Sequence, residues 1–177
     1  MAMRVRVVAT PVPAKPNLGR HGPAFNVVSL LTASVARQEE IDRLMREPLT
    51  DEHRTVSRLR YWNAFEQIKM HAATQEAWQP LCEAINIGML LCEDGIGAEW
   101  IDVFLKAQDF IFHASARGYR RGSYRLDGNG IAAVTAALDV HDAQLEVALR
   151  GDLAKAERTM IARIDEGNFL QAAPLAA

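Results

Sequence analysis

The chain has 177 residues, 49% hydrophobic and 24% charged, with a formal charge of −2. That composition belongs to a globular protein able to bury a sizeable core, and the near-neutral charge excludes a uniformly basic nucleic-acid binder. The charge is uneven, however. Residues 1–38 hold Arg4, Arg6, Lys15, Arg20 and Arg37 and no acid, so the other 139 residues carry 15 basic against 22 acidic groups, a net of −7. The asymmetry predicts a basic arm on an acidic body.

Residues 4–8 (RVRVV) alternate like a strand, but Pro11, Pro13, Pro16 and Pro23 follow with Gly19 and Gly22. Prolines at that density prevent a helix and disfavour sheet pairing, so residues 1–24 read as an extended basic arm. Residues 25–36 are uncharged and follow a basic region. Asn26, Ser29, Thr32 and Ser34 dilute them too far for a secretory signal. A helix is predicted over 29–47, ended by Pro48. Thr50 reads as the cap of the next helix, with Asp51 and Glu52 suited to its positive end.

That helix, predicted over 51–78, has two apolar faces. Val56, Leu59, Trp62, Met70, Ala73 and Ala77 form one, and Tyr61, Ala64, Phe65, Ile68 and Ala72 the other. One face packs on the core, and the second predicts a neighbouring layer or a second subunit. Pro80 either ends this helix or opens the next at its first position. Residues 81–92 are apolar except for Glu83 and Asn86, and Gly95 and Gly97 mark a turn.

Residues 97–118 (GAEWIDVFLKAQDFIFHASARG) are apolar over most of the helical surface. Asp102, Lys106, Asp109, His113 and Arg117, spaced 4, 3, 4 and 4 apart, form a narrow polar stripe. This helix is expected at the centre of a bundle, with Phe104 and Ile111 buried. The following YRRGSYRLDGNG carries loop signals, and Asp127 or Asn129 can cap the next helix. Ile131, Val134, Leu138, Leu145, Ala148 and Leu149 keep a near-heptad spacing there, with His141 on the same face. Gly151 then reads as a helix stop and Asp152 as a fresh cap for a helix through Asp165. The sum is an all-α bundle of about five to six helices: an extended Pro-rich arm over 1–24, a single helical domain over 25–170 and a frayed tail over 171–177.

Motifs for chemistry are sparse. None of the five histidines has a glutamate three residues before it, and HExxH, paired CxxC, GxSxG, GxGxxG and Walker sequences are missing. No metal, cofactor or catalytic residue is therefore assigned. Cys82 and Cys92 would stand about 15 Å apart on one helix, too far for a disulfide. Their apolar neighbours predict buried, reduced thiols and a cytoplasmic protein. No apolar run reaches the ~18 residues of a spanning helix, so no membrane partner is expected.

Two polar constellations stand out. Asp109 and His113 form an i,i+4 pair, a common stabilising arrangement that can also present two ligands. His141, flanked by Asp139 and Asp142, is either a satisfied core histidine or a spot where carboxylates keep the imidazole charged near neutrality. The second is the segment Arg117, Tyr119, Arg120, Arg121, Tyr124 and Arg125. Guanidinium groups grip phosphates bidentately and tyrosines stack on bases. Arginines at a helix end also neutralise its dipole. No reaction is named by these residues. The leading expectation is a non-enzymatic interaction protein acting as a homodimer and through protein partners. The alternative is a nucleic-acid accessory protein using the arm and the Arg segment, and third comes an enzyme built on Asp109, His113 and His141.

Overall fold

Polar side chains at three turns decide where helices begin. Thr50 accepts the His53 N–H at 3.3 Å, Thr74 the Ala77 N–H at 3.3 Å and Asp127 the Gly130 N–H at 2.7 Å. Each satisfies a backbone donor that a first helical turn leaves unpaired. The computed structural model describes the backbone of residues 27–70, 74–121 and 124–167, with their side chains except at 27–33, 75 and 119–121. The expected arm over 1–24 and tail over 171–177 lie outside the described residues.

Those residues form α1 (Val27–Met45), α2 (Asp51–Lys69), α3 (Gln75–Glu93), a 3-10 turn (Ala98–Trp100), α4 (Ile101–Arg121), α5 (Gly128–Val147) and α6 (Arg150–Asp165). The architecture is all-α, with no strand among the described residues. An isolated antiparallel bridge joins Pro48 to Leu149, where the Arg150 N–H donates to the Glu47 carbonyl at 2.9 Å. The chain divides into residues 1–38 and 39–177. Of the first unit, the described part is the beginning of α1. The second contains everything below.

The centre of this second unit is α3, not the helix over 97–118. α3 packs against α2, α4, α5 and α6, with Leu81, Ile85 and Leu91 fully buried. α4 packs on α3 and α5 and buries a single stripe, Phe104, Ala107, Ile111, Ala114 and Gly118. Trp100 and Leu105, counted toward an all-round apolar surface, are 48% and 49% exposed. Phe110 and Phe112 are half-buried along the stripe's margins. Aromatic density marked α4 in the sequence, whereas a central helix also needs small residues that let neighbours approach. Gly88 of α3 does this, because Phe104 seats on it.

Two further boundaries differ from expectation. α2 ends at Lys69, with the Met70 N–H bonded to Glu66, and the chain restarts at the Thr74 cap. Pro80 lies inside α3 and breaks nothing. Gly151 sits within α6 rather than stopping a helix. A Cβ there would stand 2.8 Å from the Met45 carbonyl oxygen, so glycine permits that close approach. Asp152 accepts the Leu149 N–H at 2.9 Å from inside the first turn, which makes Leu149 the capping position.

Candidate functional site

The two faces of α2 are treated very differently. Tyr61, Ala64, Phe65 and Ile68 are buried, at 4%, 3%, 1% and 1% exposure. On the opposite side Val56, Leu59 and Met70 are 60%, 57% and 68% exposed. At 100° per residue these three fall in one stripe. Ala72 and Ala73, which the sequence adds to the two faces, lie outside the described residues, and Ala77 belongs to α3. Val35, Ile41 and Met45 of α1 are exposed as well.

The Arg segment is divided by the fold. The helix does not stop at Gly118: α4 runs on through Arg121. Gly118 serves as a seat, since a Cβ there would come within 2.5 Å of Tyr124 Cδ1. The Tyr124 ring is buried and lies 5.4 Å from the Trp78 ring at 36°. It presents no free face for a base to stack on. Trp78 in turn donates its indole N–H to Ser115 at 2.7 Å. Residues 124–126 alternate, with Tyr124 and Leu126 inward and Arg125 exposed. Arg117 is also exposed and donates to the Arg125 carbonyl at 3.2 Å, tying the end of α4 to the approach to α5. The side chains of Tyr119, Arg120 and Arg121 lie outside the described residues.

Asp109, His113 and His141 do not form one polar site. Asp109 and His113 approach at 3.4 Å with side chains 68% and 60% exposed, an i,i+4 pair on a solvated face. His141 is 3% exposed, its ring 5.4 Å from Tyr61 and its Nδ1 3.3 Å from Gln144 Oε1. Burial pushes its pKa down from 6.5 to about 4, outweighing the opposing pulls of Gln144 and Asp142. The imidazole is therefore neutral at physiological pH, contrary to the charged state that flanking acids suggested. Of those acids Asp139 points to solvent, and Asp142 is already engaged.

What engages Asp142 was not visible in the sequence. Tyr61 donates its hydroxyl to Asp142 Oδ1, Trp62 its indole N–H to Oδ2 at 3.1 Å, and Arg58 approaches Oδ1 at 3.3 Å. Arg58 also bonds the Asp142 carbonyl at 2.9 Å and Glu146 at 2.6 Å. Burial, and then the bond to this carboxylate, push the Tyr61 phenol above its ordinary range. The hydrogen bond to Glu146 raises the Arg58 guanidinium. This cluster fastens α2 to α5 and keeps the phenol protonated. Gln144 is the second residue missed. Buried to 3%, its Nε2 reaches the carbonyls of Gly88 at 3.0 Å and Ile96 at 2.8 Å, and the Cys92 sulfur at 3.2 Å. It holds the turn after α3 against α5. The available signal was a glutamine three residues after His141, on the otherwise apolar face of that helix.

Cys82 and Cys92 are free thiols on α3. Burial pushes Cys82 up to about 12 and raises Cys92 as well, so neither is an activated nucleophile. Among the described residues no three His, Cys, Asp or Glu side chains converge as metal ligands would, and no helix is long and apolar enough to cross a membrane. No protein-family model matches the chain, and neither does a curated protein or a solved structure.

Proposed function

We propose that this protein works by association, as a cytoplasmic, non-enzymatic helical module that pairs with itself through the outer face of α2 and presents helical surfaces to protein partners. The observation that carries this reading is the exposure of Val56, Leu59 and Met70, at 60%, 57% and 68%, opposite a fully buried face of the same helix. Exposed apolar side chains on a helix mark interaction sites on soluble proteins, and Val56 and Leu59 stand at the i, i+3 spacing by which an amphipathic helix presents its anchors. The cytoplasmic part of the reading rests on the two unpaired thiols. Sedimentation velocity at ~50 µM, where a dimer of micromolar dissociation constant is populated, tests it. A dimer is expected, and a Val56→Glu, Leu59→Glu double variant with an unchanged circular dichroism spectrum should be a monomer. A monomeric unmutated protein overturns the self-association reading.

The alternative, a nucleic-acid role for residues 117–125 and the basic arm, has less behind it. Arg117 and Arg125 are exposed, but burial of Tyr124 removes one of its two stacking platforms.

A further inference from the structure

Between the turn after α3 and the carboxyl-terminal half of α5 lies an open cleft of about 420 Å3, within the size range of small-molecule sites. Ile96, Val140, Val147 and Trp100 supply an apolar wall, and Glu99 and Asp139 line the same cleft. The Trp100 side chain, on the 3-10 turn, is 48% exposed, and Val147, the last residue of α5, is 69% exposed. An aromatic ring and two carboxylates lining one cleft are the combination that holds an organic cation, by charge on one side and by the negative ring face on the other.

The charge pattern around the cleft selects for a cation. Several acids at this end of the fold are matched: Glu93 by Arg163, Asp94 by Lys155, and Asp142 and Glu146 by Arg58. No ion pair among the described residues uses Glu99 or Asp139. Two helices also end here, α3 at Glu93 and α5 at Val147, and neither has a basic residue in its last turn. The positive starts of α4 at Ile101 and α6 at Arg150 offset those ends, so the net negative charge of the cleft comes from the unpaired Glu99 and Asp139. A hard metal ion needs six or more oxygen ligands, whereas this wall is largely hydrocarbon. An ammonium carried on an apolar body satisfies both the charge and the surface.

We infer that this cleft is a binding site for a small organic cation, with Glu99 and Asp139 receiving the ammonium and Trp100, Ile96, Val140 and Val147 receiving its aromatic or aliphatic body. The site is independent of the α2 face. The test is isothermal titration of the full chain, in phosphate buffer, with phenethylammonium, choline and spermidine as probes. 2-Phenylethanol and 3-phenylpropionate serve as the neutral and anionic counterparts of the first. Phenethylammonium should bind saturably with a dissociation constant of about a millimolar or tighter, and both counterparts should bind at least about tenfold more weakly. A Glu99→Gln, Asp139→Asn double variant, altered only at exposed side chains, should lose about tenfold in cation affinity and nothing toward 2-phenylethanol. Trp100→Leu should weaken binding of the same cation in protein whose unfolding midpoint is unchanged. The site is overturned if none of the three cations saturates by about 20 mM. It is equally overturned if phenethylammonium binds no better than its neutral counterpart, or if the double variant binds as tightly as the unmutated protein.

Discussion

The ring of Phe104 occupies the space that a side chain at position 88 would fill: a Cβ built on Gly88 would stand 2.5 Å from Phe104 Cζ. Phe104 is fully buried, so the ring cannot swing into solvent to make room. Alanine is favoured over glycine inside a helix by ~1 kcal/mol, yet overpacking a tight core costs about 1–3 kcal/mol. Gly88→Ala should therefore lower stability, read as a lower urea midpoint at constant slope. Phe104→Leu in the same chain should recover part of the loss. Phe104→Ala alone should cost about 3–5 kcal/mol through lost burial and a cavity. A Gly88→Ala variant more stable than the parent would show that the two residues do not meet.

The buried imidazole makes stability depend on pH. His141 has its pKa depressed from 6.5 to about 4 in the folded chain. Between those values the unfolded chain binds a proton that the folded chain refuses. Stability from this residue is thus complete above pH ~6.5, falls as pH drops toward ~4, and changes no further below that, a total of about 3 kcal/mol. His141→Gln keeps a polar group beside Gln144 but cannot titrate. Urea unfolding of both proteins between pH 7.5 and 4.5 should give a slope shallower in the variant by up to ~1.4 kcal/mol per pH unit. Parallel profiles would mean that position 141 is charged, or open to water, in the folded protein.

Local signals were legible in the sequence and distant ones were not. Thr50 and Asp127 could be read as caps because a cap is decided within three residues, and both accept the predicted N–H bonds. The burial of Phe104 and Ile111, at 0% and 8%, followed from helical spacing alone. The rank of α3 over α4 did not, because it depends on a glycine whose purpose appears only when Phe104 arrives from another helix. Pro80 misled for a related reason: packing of α3 on four neighbours outweighs one missing backbone bond. Among candidate sites, the exposed face of α2 was legible in part: Val56, Leu59 and Met70 are exposed, whereas Trp62, read with them, is half-buried and bonded to Asp142. Arg58 and Asp142 stand 84 residues apart, and nothing in either one's neighbours announces the other.

The Tyr61 hydroxyl and the Asp142 carboxylate that accepts it should be energetically coupled across α2 and α5. Tyr61 and Trp62 both donate to that carboxylate, and Tyr61 is buried to 4% exposure. Asp142→Ala leaves that hydroxyl unsatisfied, which costs about 1–3 kcal/mol. Arg58 adds less, because it stays half-exposed and retains Glu146. Tyr61→Phe should be costly in the parent and nearly free in the Asp142→Ala background, with a coupling of about 0.5–3 kcal/mol. Strict additivity in thermal or urea unfolding would remove the hydroxyl–carboxylate bond from the account of how α2 is held to α5.

The Arg segment is open to a decisive experiment because the fold has separated its members. Tyr124 is buried beside Trp78, so Tyr124→Leu in protein that stays folded should leave any polyanion affinity unchanged, whereas loss of a stacking ring would make it fall. Arg117 and Arg125 are exposed, and Arg120 and Arg121 occupy the last turn of α4. Two glutamates at that negative helix end would cost about 0.3–1 kcal/mol each, so the Arg120→Gln, Arg121→Gln pair separates the loss of charge from the penalty at the helix end. If duplex DNA or RNA binds through this segment, the Gln pair should weaken it. The slope of log affinity against log salt should also flatten by up to about two phosphate contacts. The Glu pair should weaken binding further with the helical spectrum intact. A folded Glu pair that binds as before would eliminate the segment as the contact. If the unmutated protein fails to bind either nucleic acid at low salt, the accessory role is eliminated with it.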